Sequence, residues 1–196
     1  HPDAYCWGVM CAAINELSAK GIGIQFIIIE STGLAAAREI ISKNINGLIW
    51  LGPGKDQLEL INILRDKGMD IVTIGGTLFE SRTLNYIGGD DFAGGVTAAN
   101  CLLDKGHKRI LFVSKVKERT FTIQRFKGYQ KGIDEHNLSM DKSLIIEELE
   151  LSNVYKAVRK SIQNRKHPFS AIFCADGIFL SAIQSALKDE NCDVPG

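Results

Sequence analysis

Apolar and polar residues alternate along this chain with two periods that repeatedly trade places. From about Ala4 to Lys20, Val9, Ala12, Ala13 and Leu17 recur at near-helical spacing, and Gly21 stands where a helix commonly ends. Ile24 to Ile29 is then apolar except for Gln25. That run is too short for a helix and rich in β-branched residues, which predicts a strand covered on both faces. The pattern continues with a helix near Ala35–Lys43, a strand at Gly47–Leu51, and a helix at Gln57–Lys67 closed by Gly68. Strands follow at Asp70–Ile74 and, briefly, near Asn85–Ile87. A helix at Phe92–Lys105, capped by Gly106, leads to a strand at Arg109–Ser114.

After Ser114 the rhythm restarts. Lys117–Arg119 is a charged connector, followed by a long helix over Thr122–His136, a strand at Leu144–Leu149 and a helix at Tyr155–Asn164. A strand at Ala171–Ala175 and a helix at Phe179–Glu190 complete the pattern. Alternation of this kind predicts parallel sheets with helices on both faces. The restart predicts two lobes, residues 1–114 and 115–196, joined near Ser114–Glu118 by short crossing segments, since no Pro/Gly linker is present there. Two such lobes facing each other form a cleft, the usual seat of a small ligand.

Composition narrows the function classes. The chain has 196 residues, with 23 basic and 23 acidic side chains and a formal charge of zero. The basic residues are scattered, so nothing forms the positive surface that DNA phosphates require. Five cysteines, Cys6, Cys11, Cys101, Cys174 and Cys192, form no CxxC pair and no metal-ligand spacing, which favours a reducing cytoplasm and no bound metal. No apolar run approaches the roughly 18 residues that span a bilayer, so no membrane association is expected. His1-Pro2 opens directly onto a helical pattern and the chain closes on Asp193-Val194-Pro195-Gly196, so the sequence reads as an excerpt at both ends.

Catalytic signatures do not emerge. There is no Gly-x-Ser-x-Gly elbow, no Gly-x-x-x-x-Gly-Lys loop and no His-Glu-x-x-His helix. Gly52-Pro53-Gly54-Lys55 lacks the Ser/Thr of a phosphate cradle, and Pro53 removes one backbone donor, so a plain turn is the reading. Gly75-Gly76-Thr77 and Gly88-Gly89-Asp90-Asp91 lie at the carboxyl ends of strands, the edge at which open α/β sheets bind ligands. Of Asp90 and Asp91, one is expected to cap the following helix, and the pair can accept hydrogen bonds from sugar hydroxyls. Arg125, early in its helix, offers a planar fork of donors suited to bidentate contact in a cleft, although a solvated or ion-paired role is equally open. Tyr5 and Trp7 are candidates for stacking on a sugar ring or for the core, and His107 reads as a turn residue past a helix end.

These residues, in this order, resemble the effector-binding core of the LacI/GalR repressors, which is similar to the periplasmic sugar-binding proteins. Gly88-Gly89-Asp90-Asp91-Phe92-Ala93-Gly94-Gly95, followed by Leu102-Leu103-Asp104-Lys105-Gly106-His107-Lys108-Arg109-Ile110, looks like the family's Asp-Asn-x-x-Gly helix and Leu-x-x-x-Gly-His-x-x-Ile segment. Arg125-Phe126-Lys127-Gly128-Tyr129 resembles Arg-x-x-Gly-Phe/Tyr, and Asn46-Gly47-Leu48-Ile49 resembles Asp-Gly-Ile-Ile. Ala171 to Asp176 is similar to Ala-Ile-x-x-x-Asn-Asp, and Val194-Pro195 to a Val-Pro before a later strand.

The resemblance implies an α/β fold of two Rossmann-like lobes with parallel sheets, periplasmic-binding-protein-like, without the first strand and the last part of the second lobe. It implies a cytoplasmic, homodimeric repressor that senses a sugar or sugar derivative and binds a DNA operator through an N-terminal helix-turn-helix outside this chain. Neither catalytic residues nor a cofactor is implied. Asp90 and Arg125 take effector-contacting positions, with Asp91 beside them, Asp176 opening the helix at the cleft edge and Tyr5 or Cys6 standing where family members place an aromatic over the ligand. Ala175 replaces the usual Asn, and Phe179 stands where a small residue is usual. A periplasmic sugar-binding protein and an enzyme on a flavodoxin-like scaffold are the alternative readings; the Gly-His and Arg-x-x-Gly motifs favour the repressor.

Overall fold

Two units, residues 1–88 and 89–196, organise the computed structural model, which describes residues 4–28, 33–75, 84–115, 120–164, 166 and 168–194. In the first unit, α1 spans Ala4–Ala19, α2 Gly33–Ser42, β1 Gly47–Leu51, α3 Leu58–Asp66, β2 Asp70–Ile74 and β3 Asn85–Ile87. The strands form a parallel sheet in the order β1-β2-β3, with Leu48 opposite Ile71 and Thr73 opposite Tyr86. Ala36, Ala37 and Ile40 on α2, and Leu60, Ile61 and Leu64 on α3, repeat the same one-face spacing. Both stripes are buried against Trp50 and Ile71 of the sheet.

One expectation fails here. Ile24–Ile29 forms no ladder over its described residues 24–28, and Ile22, Ile24, Phe26 and Ile28 are exposed, Ile28 to 84%. An apolar run becomes a strand only when a neighbour takes up its N–H and C=O groups, and among the described residues the ladder of β1 runs to β2 alone.

The second unit comprises α4 (Asp91–Asp104), β4 (Ile110–Lys115), α5 (Thr120–Glu135), β5 (Ile145–Glu148), α6 (Leu151–Gln163), β6 (Ala171–Cys174) and α7 (Leu180–Asp189). The sheet is parallel in the order β5-β4-β6. Central β4 is buried from Ile110 to Ser114, as a strand covered on both faces must be. Ile110 and Phe112 face α4 and α5, meeting Ala99, Leu103, Phe126, Tyr129 and Ile133. Leu111 and Val113 face α6 and α7, meeting Val154, Val158, Phe179 and Ile183.

Phe112 stands among three rings, with centroids 5.1 Å from Phe126, 5.0 Å from Tyr129 and 5.2 Å from Phe173. The Tyr129 hydroxyl donates to the Ile110 carbonyl at 3.0 Å, and burial, followed by the charge of Asp141, pushes its pKa up to about 12. At the amino ends of the strands, Arg109 donates to the Pro168 carbonyl (2.6 Å) and pairs with Asp141 (2.9 Å), tying the entries of β5 and β6 to β4.

Helix ends follow the sequence. Gly106 adopts φ 89°, its N–H bonds to the Leu103 carbonyl, and the His107 N–H bonds to the Leu102 carbonyl. This is a Schellman closure of α4. Asn44, Asn137 and Asn191 perform the corresponding left-handed turn after α2, α5 and α7, at φ between 52° and 55°.

Two boundaries move. The division between units lies at Gly88/Gly89 rather than near Ser114–Glu118, because β4 is the central strand of the second sheet and α4 packs along α5. The helix expected to open at Tyr155 starts at Leu151, where Glu150 takes an extended conformation and accepts from Asn153 and Val154 N–H. Its first turn is exposed and shows no apolar period.

The α4–α5 pairing is close because it is lined with small residues. A Cβ at Gly128 would lie 2.7 Å from the Val96 nitrogen and 2.8 Å from Gly95 Cα, and closer still to the Phe92 carbonyl oxygen. Backbone cannot swing aside as a side-chain tip can, so Gly128→Ala is expected to lower unfolding free energy by about 2 kcal/mol or more, read by urea denaturation. A second prediction concerns acid. The Ser143 hydroxyl and N–H, then Arg109, hold Asp141 down at about 2. The folded pKa lies below the unfolded one, so this stabilisation is full above about pH 4 and is lost as pH falls toward 2. Asp141→Asn should raise the pH midpoint of acid unfolding followed by circular dichroism; an unchanged midpoint would remove Asp141 from the stabilising set.

Candidate functional site

Topology places the site. The chain moves from β4 to β5 over one face of the sheet and returns past β4 to β6 over the other, so the connections leaving the carboxyl ends of the paired strands β4 and β6 go to opposite faces. Such a switch point is where doubly wound sheets hold ligands. Four of the six candidate site residues lie on the segments at this edge: Asp90 and Asp91 at the start of α4, Arg125 in the second turn of α5, and Asp176 just past β6.

The two adjacent acids divide their work. Asp90 is the N-cap of α4, its Oδ1 accepting from Ala93 N–H at 2.8 Å, which accounts for one carboxylate oxygen. Asp91, one residue on, accepts from Arg125 Nε at 2.8 Å. The Arg125 Nη1 donates to the Ala175 carbonyl at 2.6 Å, and the guanidinium lies 5.0 Å from the centroid of the Phe121 ring. One planar fork thus links α4, α5 and the end of β6. Asp176 is buried, and its Oδ2 accepts from Lys115 N–H at 2.8 Å, tying the carboxyl ends of β6 and β4 together.

The sequence departures acquire a meaning here. Ala175 offers no polar side chain, but its backbone carbonyl supplies the acceptor for Arg125 while its methyl packs in the core. Phe179 is 1% exposed and fills the opposite face beside Val113 and Ile183. Sequence reasoning missed Phe121, Lys115 and the Ala175 carbonyl. Phe121 was within reach, since it stands four residues before Arg125 on the same helix face. The other two act through backbone atoms, which carry no side-chain signal.

Trp7 is 59% exposed on α1 in the first unit. The side chain of Tyr5 lies outside the described residues, as do the connector Lys117–Arg119 and Gly76-Thr77. His107 bonds through Nδ1 to the Ser170 hydroxyl at 3.0 Å, at the amino end of the sheet and away from this edge. Cys174 Sγ is bonded to the Asp176 carbonyl at 3.0 Å, and burial raises its pKa, which suits an inert thiol rather than a nucleophile. Among the described residues, no group of His, Cys, Asp and Glu could hold a metal ion, and no helix is long and apolar enough to cross a membrane.

Comparison with known proteins gives a consistent picture. Residues 99–196 match the family model of the periplasmic binding protein-like domain. The HTH-type transcriptional repressor PurR of Histophilus somni strain 2336 is 26% identical over 157 residues, covering 80% of this chain and 46% of that protein. The HTH-type transcriptional regulator RegA of Clostridium saccharobutylicum is 29% identical over 167 residues, 81% of this chain and 47% of that protein. The chain therefore spans about half the length of the curated relatives it matches. Among solved structures, a sugar-binding transcriptional regulator of the LacI family from Escherichia coli, complexed with phosphate, matches with a TM-score of 0.79 at 16% identity, covering 95% of this chain and 68% of that one.

The Arg125 fork is a structural tie as well as a candidate contact. Both Arg125→Ala and Arg125→Lys are expected to lower unfolding free energy by about 1–2 kcal/mol, because lysine cannot reproduce the two directed N–H bonds and the pair is partly solvated. Urea denaturation of both variants measures this; a neutral Arg125→Lys would show that charge alone suffices.

Proposed function

This chain belongs to the periplasmic binding protein-like domain family, and from that premise we propose that it is the effector-sensing core of a transcriptional repressor of the LacI/GalR type. The effector is a sugar or sugar derivative, received at the carboxyl edge of the second sheet. The single observation that carries the reading is the Asp91–Arg125–Ala175 tie across the switch point. A guanidinium already oriented by two bonds loses little freedom when it meets a ligand, and its Nη2 group makes no hydrogen bond among the described residues. Asp90, Asp91 and Asp176 supply acceptors for hydroxyl groups beside it.

Sensing requires only that the solute bind one conformation of the protein better than another; its differential affinity then shifts their balance. In a cytoplasmic homodimer, that shift changes how two DNA-reading heads outside this chain meet operator half-sites. The protein binds its solute without turning it over, in keeping with relatives that are transcriptional regulators.

Calorimetry of the natural full-length protein against ribose, glucose, galactose and cellobiose tests the proposal. We expect saturable, stoichiometric binding of at least one sugar, with the sugar recovered unchanged. Arg125→Ala should weaken that binding about tenfold or more, as loss of a charge-assisted hydrogen bond does. Equal affinity in the variant would remove Arg125 from the site, and sugar consumption would return the protein to the enzymes.

A further inference from the structure

The α4–α5 crossing carries a second charged contact, at the end remote from Arg125. Asp91 and Arg125 meet where α4 begins. Asp104, the last residue of α4, meets His136, which stands just past the end of α5. Between these two contacts Asn100 donates to Glu135 at 3.2 Å, and Gly132 leaves no room for a Cβ against Ala99 and Asn100. The two helices thus run side by side in the same direction, tied at both ends.

The His136 ring is held by both of its nitrogens. Nδ1 lies 3.0 Å from the Gly132 carbonyl oxygen, and Nε2 lies 3.1 Å from Asp104 Oδ1. A carbonyl and an ionised carboxylate can only accept, so each nitrogen must carry a proton for both bonds to exist. Neutral imidazole has a single N–H. Whichever nitrogen keeps it, the other turns a lone pair toward an oxygen, and one bond becomes a repulsion. The geometry is complete only for the imidazolium ion. We propose that His136, Asp104 and the last turn of α5 form a pH-sensitive latch across the α4–α5 crossing, closed while the ring is charged and released when it becomes neutral. The inference goes beyond solute sensing and does not depend on which solute is sensed.

The surroundings favour the charged ring. The hydrogen bond to Asp104, followed by that to the Gly132 carbonyl, raises the His136 pKa above the ordinary histidine value, against a smaller opposing effect of burial. The negative charges of Asp104 and Glu135 act in the same direction. The carboxyl end of α5 adds the negative pole of its dipole. Lys131 is drawn to Glu135 at 3.4 Å, while Lys105 and Lys108 follow Asp104 in the chain and Asp134 precedes Glu135. The folded pKa lies above the unfolded one, so the latch contributes fully below about pH 6.5 and is lost as pH rises through the folded value. Water limits its size, since the Asp104 side chain is 73% exposed and exposed ion pairs contribute little. The glycines hold the helices together, and the latch sets how firmly their far ends stay closed.

Isotope-labelled histidine in the natural full-length protein, followed by NMR across a pH series, reads the His136 titration directly, with His136→Gln identifying its signal. We expect a wild-type midpoint above about 6.5, moving back toward that value in Asp104→Asn. Thermal unfolding gives the second readout. The wild type should exceed His136→Gln in Tm by roughly 1–2 °C at about pH 5.5, and the gap should close by about pH 8.5. A purely structural contact would keep the same gap at both pH values, because packing of the ring does not titrate. A gap that fails to shrink as pH rises would overturn the proposal. So would a wild-type midpoint at or below about 6.5, or one that Asp104→Asn leaves in place.

Discussion

The close approach of α4 and α5 governs the rest of the second unit. Gly95, Gly128 and Gly132 leave no room for a Cβ at the crossing, where a methyl at Gly132 would stand 2.6 Å from that of Ala99. At this separation the start of α4 reaches the second turn of α5, and Asp91 meets Arg125 at 2.8 Å. A wider crossing would leave the guanidinium short of its carboxylate, and the end of β6 would lose its tie to both helices. Backbone proximity thus comes first and the polar site is built on it.

Packing beneath the site is dense, and the polar groups above it are spent unevenly. The cluster of Phe112, Phe126, Tyr129 and Phe173 fills the layer under α5, with the Tyr129 hydroxyl satisfied by the Ile110 carbonyl. One layer toward the carboxyl edge, Ser114 and Thr122 remain unsatisfied. A core selected for stability alone would place Ala and Val there. Local departures from the rule that buried polar groups find partners concentrate at functional positions, where stability is given up for binding.

The amino end of the same sheet shows the opposite economy. Arg109, Asp141, Ser143 and Pro168 bond one another closely, and His107 is engaged by Ser170. These groups serve the entries of three strands. His107, the histidine of the Gly-His motif, therefore marks a helix closure and a strand anchor.

What the sequence determined by itself was local. Hydrophobic period, glycine or asparagine after a helix, and a continuous apolar run for central β4 each depend on neighbours a few residues away, and the strands at Gly47–Leu51 and Asp70–Ile74 match their expected limits. The capping role of one acid in Asp90-Asp91 was legible for the same reason. Tertiary structure alone decided which acid caps and which pairs with Arg125, because that choice depends on a helix 34 residues away. It also decided that Ala175 acts through its carbonyl, that Ile24–Ile28 lacks a ladder, and that the units divide at Gly88/Gly89. A strand exists only with a partner, and a unit only through the contacts it closes. Neither partner nor contact is written in the residues of the segment itself.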